Sequence, residues 1–190
     1  MDFNEIRKKL KKELDKERYE HTIGVMYTAG CMAMAYGYPM EKAMLAGLLH
    51  DCAKCISHDE KIRLCKKHDL PINEVELANP GLLHAKAGAI IANEQYDIQN
   101  PEILHAITVH TTGEPDMSIL DKIIYIADYI EPGRTEAPNL DYVRGLAYKN
   151  LDVCMAKILY DTLNYLNNRK GSIDPATQLT YEFYCQYKEE

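Results

Sequence analysis

Tryptophan is absent from this 190-residue chain and phenylalanine occurs only twice, so its aromatic surface is carried almost entirely by 14 tyrosines. No apolar run approaches the roughly 18 residues of a membrane span. β-Branched residues in alternation are nearly missing as well, which speaks against sheets. There is no excess of positive charge: the formal net charge is -7, whereas a broad nucleic-acid interface needs a basic face. Any phosphate this chain meets is therefore expected inside a pocket. The opening stretch "MDFNEIRKKLKKELDKERYE" is charged throughout and lacks the apolar segment of a signal peptide, so a soluble, cytoplasmic protein is expected.

The six cysteines form no paired framework. Cys52 and Cys55 make a C-x-x-C, yet no second such pair and no strand-rich context accompanies them, and free thiols are expected. Repeats, low-complexity segments and long linkers are absent too, so residues 1–190 are expected to form a single domain. A chain of this length buries about 70% of the surface its unfolded form exposes and needs no staple.

What the sequence does contain is helical periodicity with short punctuation. Helices are expected at about residues 3–17, 19–36, 40–50, 58–68, 81–96, 101–111, 117–130, 140–168 and 174–187. "YGYP", "NPG", "TTGEPD" and "EPGR" supply breaks. The fold class is all-α, a helical bundle.

Polar residues interrupt the apolar faces of these helices in a consistent way. His21 shares a face with Val25, Thr28 and Met32; His84 lines up with Ala87, Gly88 and Ile91; His110 lines up with Ile103 and Ile107. His50 and Asp51 end the apolar run "AMLAGLLHD", and Asp128 lies within "IIYIADYI". Singly, an inward histidine is a core residue bonded to a carbonyl, and an inward aspartate is paired with a cation. Four histidines and two aspartates on converging faces are better explained together. A metal centre satisfies all six, because imidazole and carboxylate are natural ligands whose charge the ion offsets. His58 and His68 flank a polar stretch, and His105 lies about 140° around its helix from His110, so these three are left outside the site.

The ordered stretches "RYEHTIGV", "LAGLLHDCAK", "LLHAKAGA", "ITVHTTG" and "KIIYIADYIEPGR", spanning most of residues 18–134, resemble the HD-domain metal-dependent phosphohydrolases. The likeness is greatest to the YqeK-like branch, the HD-type symmetrical diadenosine tetraphosphate hydrolases. It implies a buried dinuclear centre, with one metal held by His21, His50, Asp51 and Asp128. A second would be held by His84 and His110, with Asp51 bridging. Iron is the metal the resemblance implies; Mn, Co, Ni and Zn also suit such ligands. A hydroxide shared by two ions about 3.5 to 4 Å apart would be the nucleophile, and symmetrical cleavage would yield two ADP.

Charge building on a phosphoanhydride in the transition state needs further cations. Lys54, one helical turn after Asp51, and Arg134 in "EPGR" are the candidates to act with Asp51 in catalysis. Arg18, Thr111, Thr112 and Glu131 join Lys54 and Arg134 as candidate contacts to a dinucleoside polyphosphate or nucleoside diphosphate. Tyr125 and Tyr129, beside Asp128, could stack on a base, although core packing is expected for most tyrosines. Other readings stay open: hydrolysis of a different nucleotide di- or triphosphate, oxygen chemistry as in the di-iron oxygenases of this superfamily, or nucleotide sensing without catalysis. In the C-terminal region, Leu159, Leu163 and Leu166 form a stripe that either completes the bundle or makes a homodimer surface.

Overall fold

Short polar side chains that accept hydrogen bonds from free backbone N–H groups set most of the helix starts. In the computed structural model, which describes residues 2–169 and 172–188, Asp2, Asp15, Ser57, Asn73, Asn100, Ser118, Asn150 and Asp174 each cap a helix N-terminus in this way. The described residues contain eleven α-helices, one 3₁₀ turn and no strand. In chain order the helices are α1 (Phe3–Glu13), α2 (Lys16–Ala35), α3 (Met40–Leu49), α4 (His58–Lys67), α5 (Glu74–Ala78) and α6 (His84–Tyr96). There follow α7 (Pro101–Val109), α8 (Ile119–Ile130), α9 (Leu140–Leu146), α10 (Leu151–Asn168) and α11 (Pro175–Tyr184). The 3₁₀ turn, Pro80–Leu83, leads into α6.

Caps also explain where the helix boundaries differ from expectation. The break between the first two helices falls at Leu14 and Asp15, not at residue 18, because both residues are extended and the Asp15 carboxylate takes the Arg18 N–H at 2.8 Å. The helix expected over 140–168 is two helices: Asn150 accepts from Asp152 and Val153 N–H and starts α10 afresh. Helix α5 was not expected, since its five residues are too few to show periodicity. A reciprocal pair of hydrogen bonds between Asn73 and Glu76 nucleates it. The last helix stops at Tyr184.

Helix α3 lies at the centre, packed against α2, α7 and α8, and buries Ala43, Ala46, Gly47, Leu48 and Leu49. Its small residues permit close approach. A methyl group on Gly47 would sit 3.1 Å from the Met26 Cα and 3.2 Å from the Val25 carbonyl oxygen. On the other side, a methyl on Gly88 of α6 would lie 3.5 Å from the His50 carbonyl oxygen. Glycines on the two helices thus bring the end of α3 tightly between its neighbours. Helix α10 packs across α8 with Cys154, Met155, Ile158 and Leu159 buried, so the C-terminal stripe covers the core. Each fully buried side chain of this size contributes roughly 1.5 to 3 kcal/mol.

Gly47→Ala is expected to lower the unfolding free energy by about 1 to 3 kcal/mol, because backbone atoms of α2 stand in the way of the new methyl. Urea denaturation measures this; a midpoint equal to that of the parent protein would contradict the close approach.

Candidate metal centre

Five helices deliver their polar residues to one point, and four of those residues lie at or just beyond helix ends. His50 and Asp51 follow α3, His84 opens α6, His110 follows α7, and Asp128 lies in the last turn of α8; His21 comes from within α2. The histidines share a local arrangement. His50, His84 and His110 each donate Nδ1–H to the carbonyl three residues earlier, on Gly47, Gly81 and Ile107, each at 2.7 Å. His21 Nδ1 instead lies 3.0 Å from Glu131 Oε1. With Nδ1 acting as donor in all four, every Nε2 carries a lone pair facing the common centre.

Asp51 divides that centre in two. Its Oδ2 lies 3.5 Å from His50 Nε2, 3.9 Å from His21 Nε2 and 2.7 Å from Arg18 Nη1. Oδ1 lies 3.2 Å from His84 Nε2, 3.7 Å from His110 Nε2 and 3.6 Å from Lys54 Nζ. Asp128 Oδ1 stands 3.0 Å from His21 Nε2, 3.9 Å from His50 Nε2 and 2.7 Å from Arg134 Nη2. Three overlapping sets of donor atoms lie within 4.8 Å of one another: His21, His50 and Asp51; His50, His110 and Asp128; and Asp51, His84 and His110.

These donors fit metal ions. His21 Nε2, His50 Nε2 and Asp51 Oδ1 are buried without a hydrogen-bond partner. His84 and His110 turn their Nε2 atoms towards each other at 3.1 Å, with Thr111 Oγ1 the same distance from both. Leaving several buried acceptors unmatched costs about 1 to 3 kcal/mol for each, whereas a cation between them satisfies all. The protonation states suit ligation as well. Burial opposes ionisation of Asp51, but the imidazoles of His50, His110 and His84 around it hold its carboxyl well below the usual range. Asp128 is likewise held low against burial, by the neighbouring imidazoles of His21 and His50 and the charge of Arg134. Burial pushes His84 down to about 4, so its ring is neutral at pH 7.

All six expected ligands converge, and Lys54, Arg134, Arg18 and Thr111 border them. Two expected substrate contacts are engaged within the protein. The Glu131 carboxylate is buried behind His21 at the wall of the smaller cavity, bonded to the His21 ring and accepting from Gly133 N–H at 2.6 Å. It fixes the His21 ring with Nε2 towards the centre, the arrangement of carboxylates behind metal-binding histidines. Thr112 turns its hydroxyl to the Gly113 carbonyl at 3.4 Å and its own carbonyl to Thr180, towards α11 and not among the imidazoles. The C-x-x-C thiols are free and unpaired with each other: Cys52 bonds to the Gly88 carbonyl and exposed Cys55 lies by Asp15.

Two supporting residues were not among those singled out in the sequence. Arg144 of α9 donates to the carbonyls of Ile130, Glu131 and Arg134 at 3.0, 3.1 and 2.9 Å, clamping the "EPGR" loop. Buried Lys61 of α4 donates to the carbonyls of Lys54 and Ile56, holding the turn that bears Asp51 and Lys54. Lys61 could have been noticed as a cation on the apolar face of α4; Arg144 reads as an ordinary surface charge. Two cavities open onto the cluster. One, of about 520 Å³, is floored by His84, His110 and Asp128; the other, of about 350 Å³, is floored by His21.

Residues 18–133 match the HD domain family model. The chain belongs to the HD-domain family. Among its relatives, "Bis(5'-nucleosyl)-tetraphosphatase, symmetrical" of Bacillus subtilis (strain 168) is 37% identical over 92% of each chain. The protein of the same name from Halalkalibacterium halodurans is 40% identical over 90% of this chain and 91% of its own. A crystal structure of an HD superfamily hydrolase from Clostridium acetobutylicum, described as involved in NAD metabolism, superposes with a TM-score of 0.95 at 36% identity, covering 99% of both chains. The matched HD region contains all six converging residues but stops before Arg134 and Arg144.

Two outcomes are expected for this HD-domain protein. His84 has a folded pKa of about 4 against 6.5 when free, so the unfolded chain takes up a proton first as pH falls. Stability of the metal-free protein should be complete above pH 6.5 and decline between 6.5 and 4, by up to about 3 kcal/mol from this residue. Urea titrations across that range test it, and His84→Gln should flatten the slope. Arg144→Met should speed amide exchange at Gly133 and Arg134 at least about tenfold while α3 amides stay protected. Unchanged exchange in the loop would deny Arg144 its clamping role.

Proposed function

We propose that this HD-domain protein hydrolyses diadenosine tetraphosphate symmetrically, giving two ADP. The names of the relatives support the substrate, and their similarity extends over nine-tenths of the chain. The observation that carries the reading is the division of Asp51, with one oxygen turned to His21 and His50 and the other to His84 and His110. We assign one metal to His21, His50, Asp51 and Asp128, and a second to His84, His110 and Asp51. Iron is proposed for both positions, since imidazole and carboxylate together suit it. When bound, the metals supply Lewis acidity and make a water acidic enough to attack phosphorus near neutral pH.

The chain's own groups do the rest. Four unprotonated Nε2 atoms and two ionised carboxylates set the polarity of the centre, and Glu131 keeps the His21 tautomer fixed. Lys54, beside Asp51 Oδ1, and Arg134, beside Asp128 Oδ1, stand ready to receive negative charge that builds on the phosphate oxygens. Arg18 adds a third cation at Asp51 Oδ2. No protein nucleophile is required, and burial pushes the nearest thiol, Cys52, far up and out of use. We place the enzyme in the cytoplasm and treat the whole chain as one domain. Its six free thiols fit a reducing compartment, and no helix among the described residues is long and apolar enough to cross a membrane.

Anaerobically purified protein incubated with diadenosine tetraphosphate should release ADP as its sole nucleotide product, and a chelator should stop the release. AMP with ATP, or turnover indifferent to chelation, would overturn the reading. Asp51→Ala should reduce kcat by at least about 1,000-fold and leave both metals unbound in elemental analysis.

A further inference from the structure

The two cavities that meet over the cluster are chemically unlike. The larger is walled by Tyr125, Tyr129 and Tyr165, and the Tyr129 hydroxyl donates to the Pro138 carbonyl at 3.2 Å, which fixes its ring at the rim. Tyr165 is 49% exposed, and the Arg169 guanidinium lies over its ring 4.6 Å from the centroid. The smaller cavity is bordered by Arg18, Glu20, Gly24, Glu131 and Pro132 and has no tyrosine, phenylalanine or tryptophan in its lining; its one aromatic ring is the His21 imidazole on the floor. Glu17, Gly133 and Arg134 line both, so the divide between the cavities runs along the "EPGR" loop. It continues through Asp51, whose Oδ1 faces His84 and Lys54 on the side of the large cavity and whose Oδ2 faces His21 and Arg18 on the other.

A linear tetraphosphate with its central bridge over Asp51 sends one half into each cavity. A nucleoside on the first half meets tyrosine rings, and stacking a base on an aromatic side chain contributes about 1 to 3 kcal/mol. The second half meets two guanidiniums, which match phosphate oxygens, and a single ring, the floor imidazole of His21, whose two nitrogens are already held against Glu131 and Asp128 at 3.0 Å each. We propose that the two ends of this symmetrical substrate are treated unequally: the nucleoside is read in the tyrosine-walled cavity only, and the other half is held as a bare phosphate arm by Arg18 and Arg134. The substrate class is then 5′-tetraphosphates carrying a nucleoside on one end or on both. This rests on the hydrolase reading above and narrows it.

For adenosine 5′-tetraphosphate the step is balanced by one water. Its oxygen bonds to the phosphorus second from the ribose, the central P–O–P bridge breaks, and one proton is released. The products are ADP and pyrophosphate in equal amounts.

The test compares kcat/KM of the metal-loaded, full-length protein for diadenosine tetraphosphate and for adenosine 5′-tetraphosphate. Values within about tenfold of each other, with ADP and pyrophosphate formed one to one from the second, are expected. A deficit of more than about 100-fold for adenosine 5′-tetraphosphate would overturn the inference, because it would mean that the second nucleoside is also bound. Tyr165→Ala should lower both values by the same factor, about tenfold. Glu20→Trp, which narrows the small cavity at an exposed position, should change both alike; a loss confined to diadenosine tetraphosphate would place its second base there and overturn the inference. If diadenosine tetraphosphate itself yields no ADP, the hydrolase reading falls and this inference with it, a result distinct from unequal turnover of the two nucleotides.

Discussion

A single buried carboxylate, that of Asp51, governs the architecture around it. Its two oxygens face two different pairs of imidazoles, and it is 1% exposed. An ionised carboxylate in such a place costs several kcal/mol unless positive charge or hydrogen bonds surround it. Everything adjacent answers that demand: Arg18 and Lys54 stand on opposite sides, and the four Nε2 atoms define where cations belong. The fold therefore carries a destabilised centre that ligand binding relieves, a common arrangement at functional sites.

The rigidity of that centre comes from how the helices end. Three imidazoles are pinned to carbonyls of their own preceding helical turn, so the same bond that finishes the helix also fixes the tautomer and the direction of the lone pair. His21 sits inside a helix, where its backbone carbonyl partners are already used, and needs Glu131 from elsewhere. Glu131 in turn depends on the loop that Arg144 clamps from α9. A chain of contacts thus links a surface-reaching arginine beyond the HD region to His21 near the start of the chain. The close approach of α3 to α2 at Gly47, and of its end to α6 at Gly88, completes the frame, since wider helix spacing would move His50 and Asp51 away from His21 and His84.

The segment beyond the matched HD region gives the site much of its outer wall. Arg134 beside Asp128, Ile158 and Thr162 of α10, and Tyr165 at the rim all line the large cavity. The HD core holds the six converging residues, and the C-terminal helices wall the cavity that opens onto them. This separation follows from ordinary protein physics: ligands need a scaffold that cannot shift, while walls facing solvent tolerate replacement.

The all-α class, most of the helices and all six converging residues were legible in the sequence, because helical periodicity places each on a face that must be buried. The HD pair at the end of "AMLAGLLHD" was especially plain, as no apolar helix finishes in His50 and Asp51 without a reason to bury them. Other features were decided only by tertiary structure. The break at Asp15 and the split at Asn150 depend on caps that compete with a continuous periodic pattern. Glu131, expected at the substrate, turned inward because His21 Nδ1 had no other partner, and Thr112 turned to its own loop. Arg144 and Tyr165 join the site from helices whose sequence carries only a core stripe and surface charge. Periodicity reports which side of an element is buried, but not which distant groups that side meets. Those meetings are set by the packing of α3, α8 and α10, and they fix the division of Asp51 and the unlikeness of the two cavities.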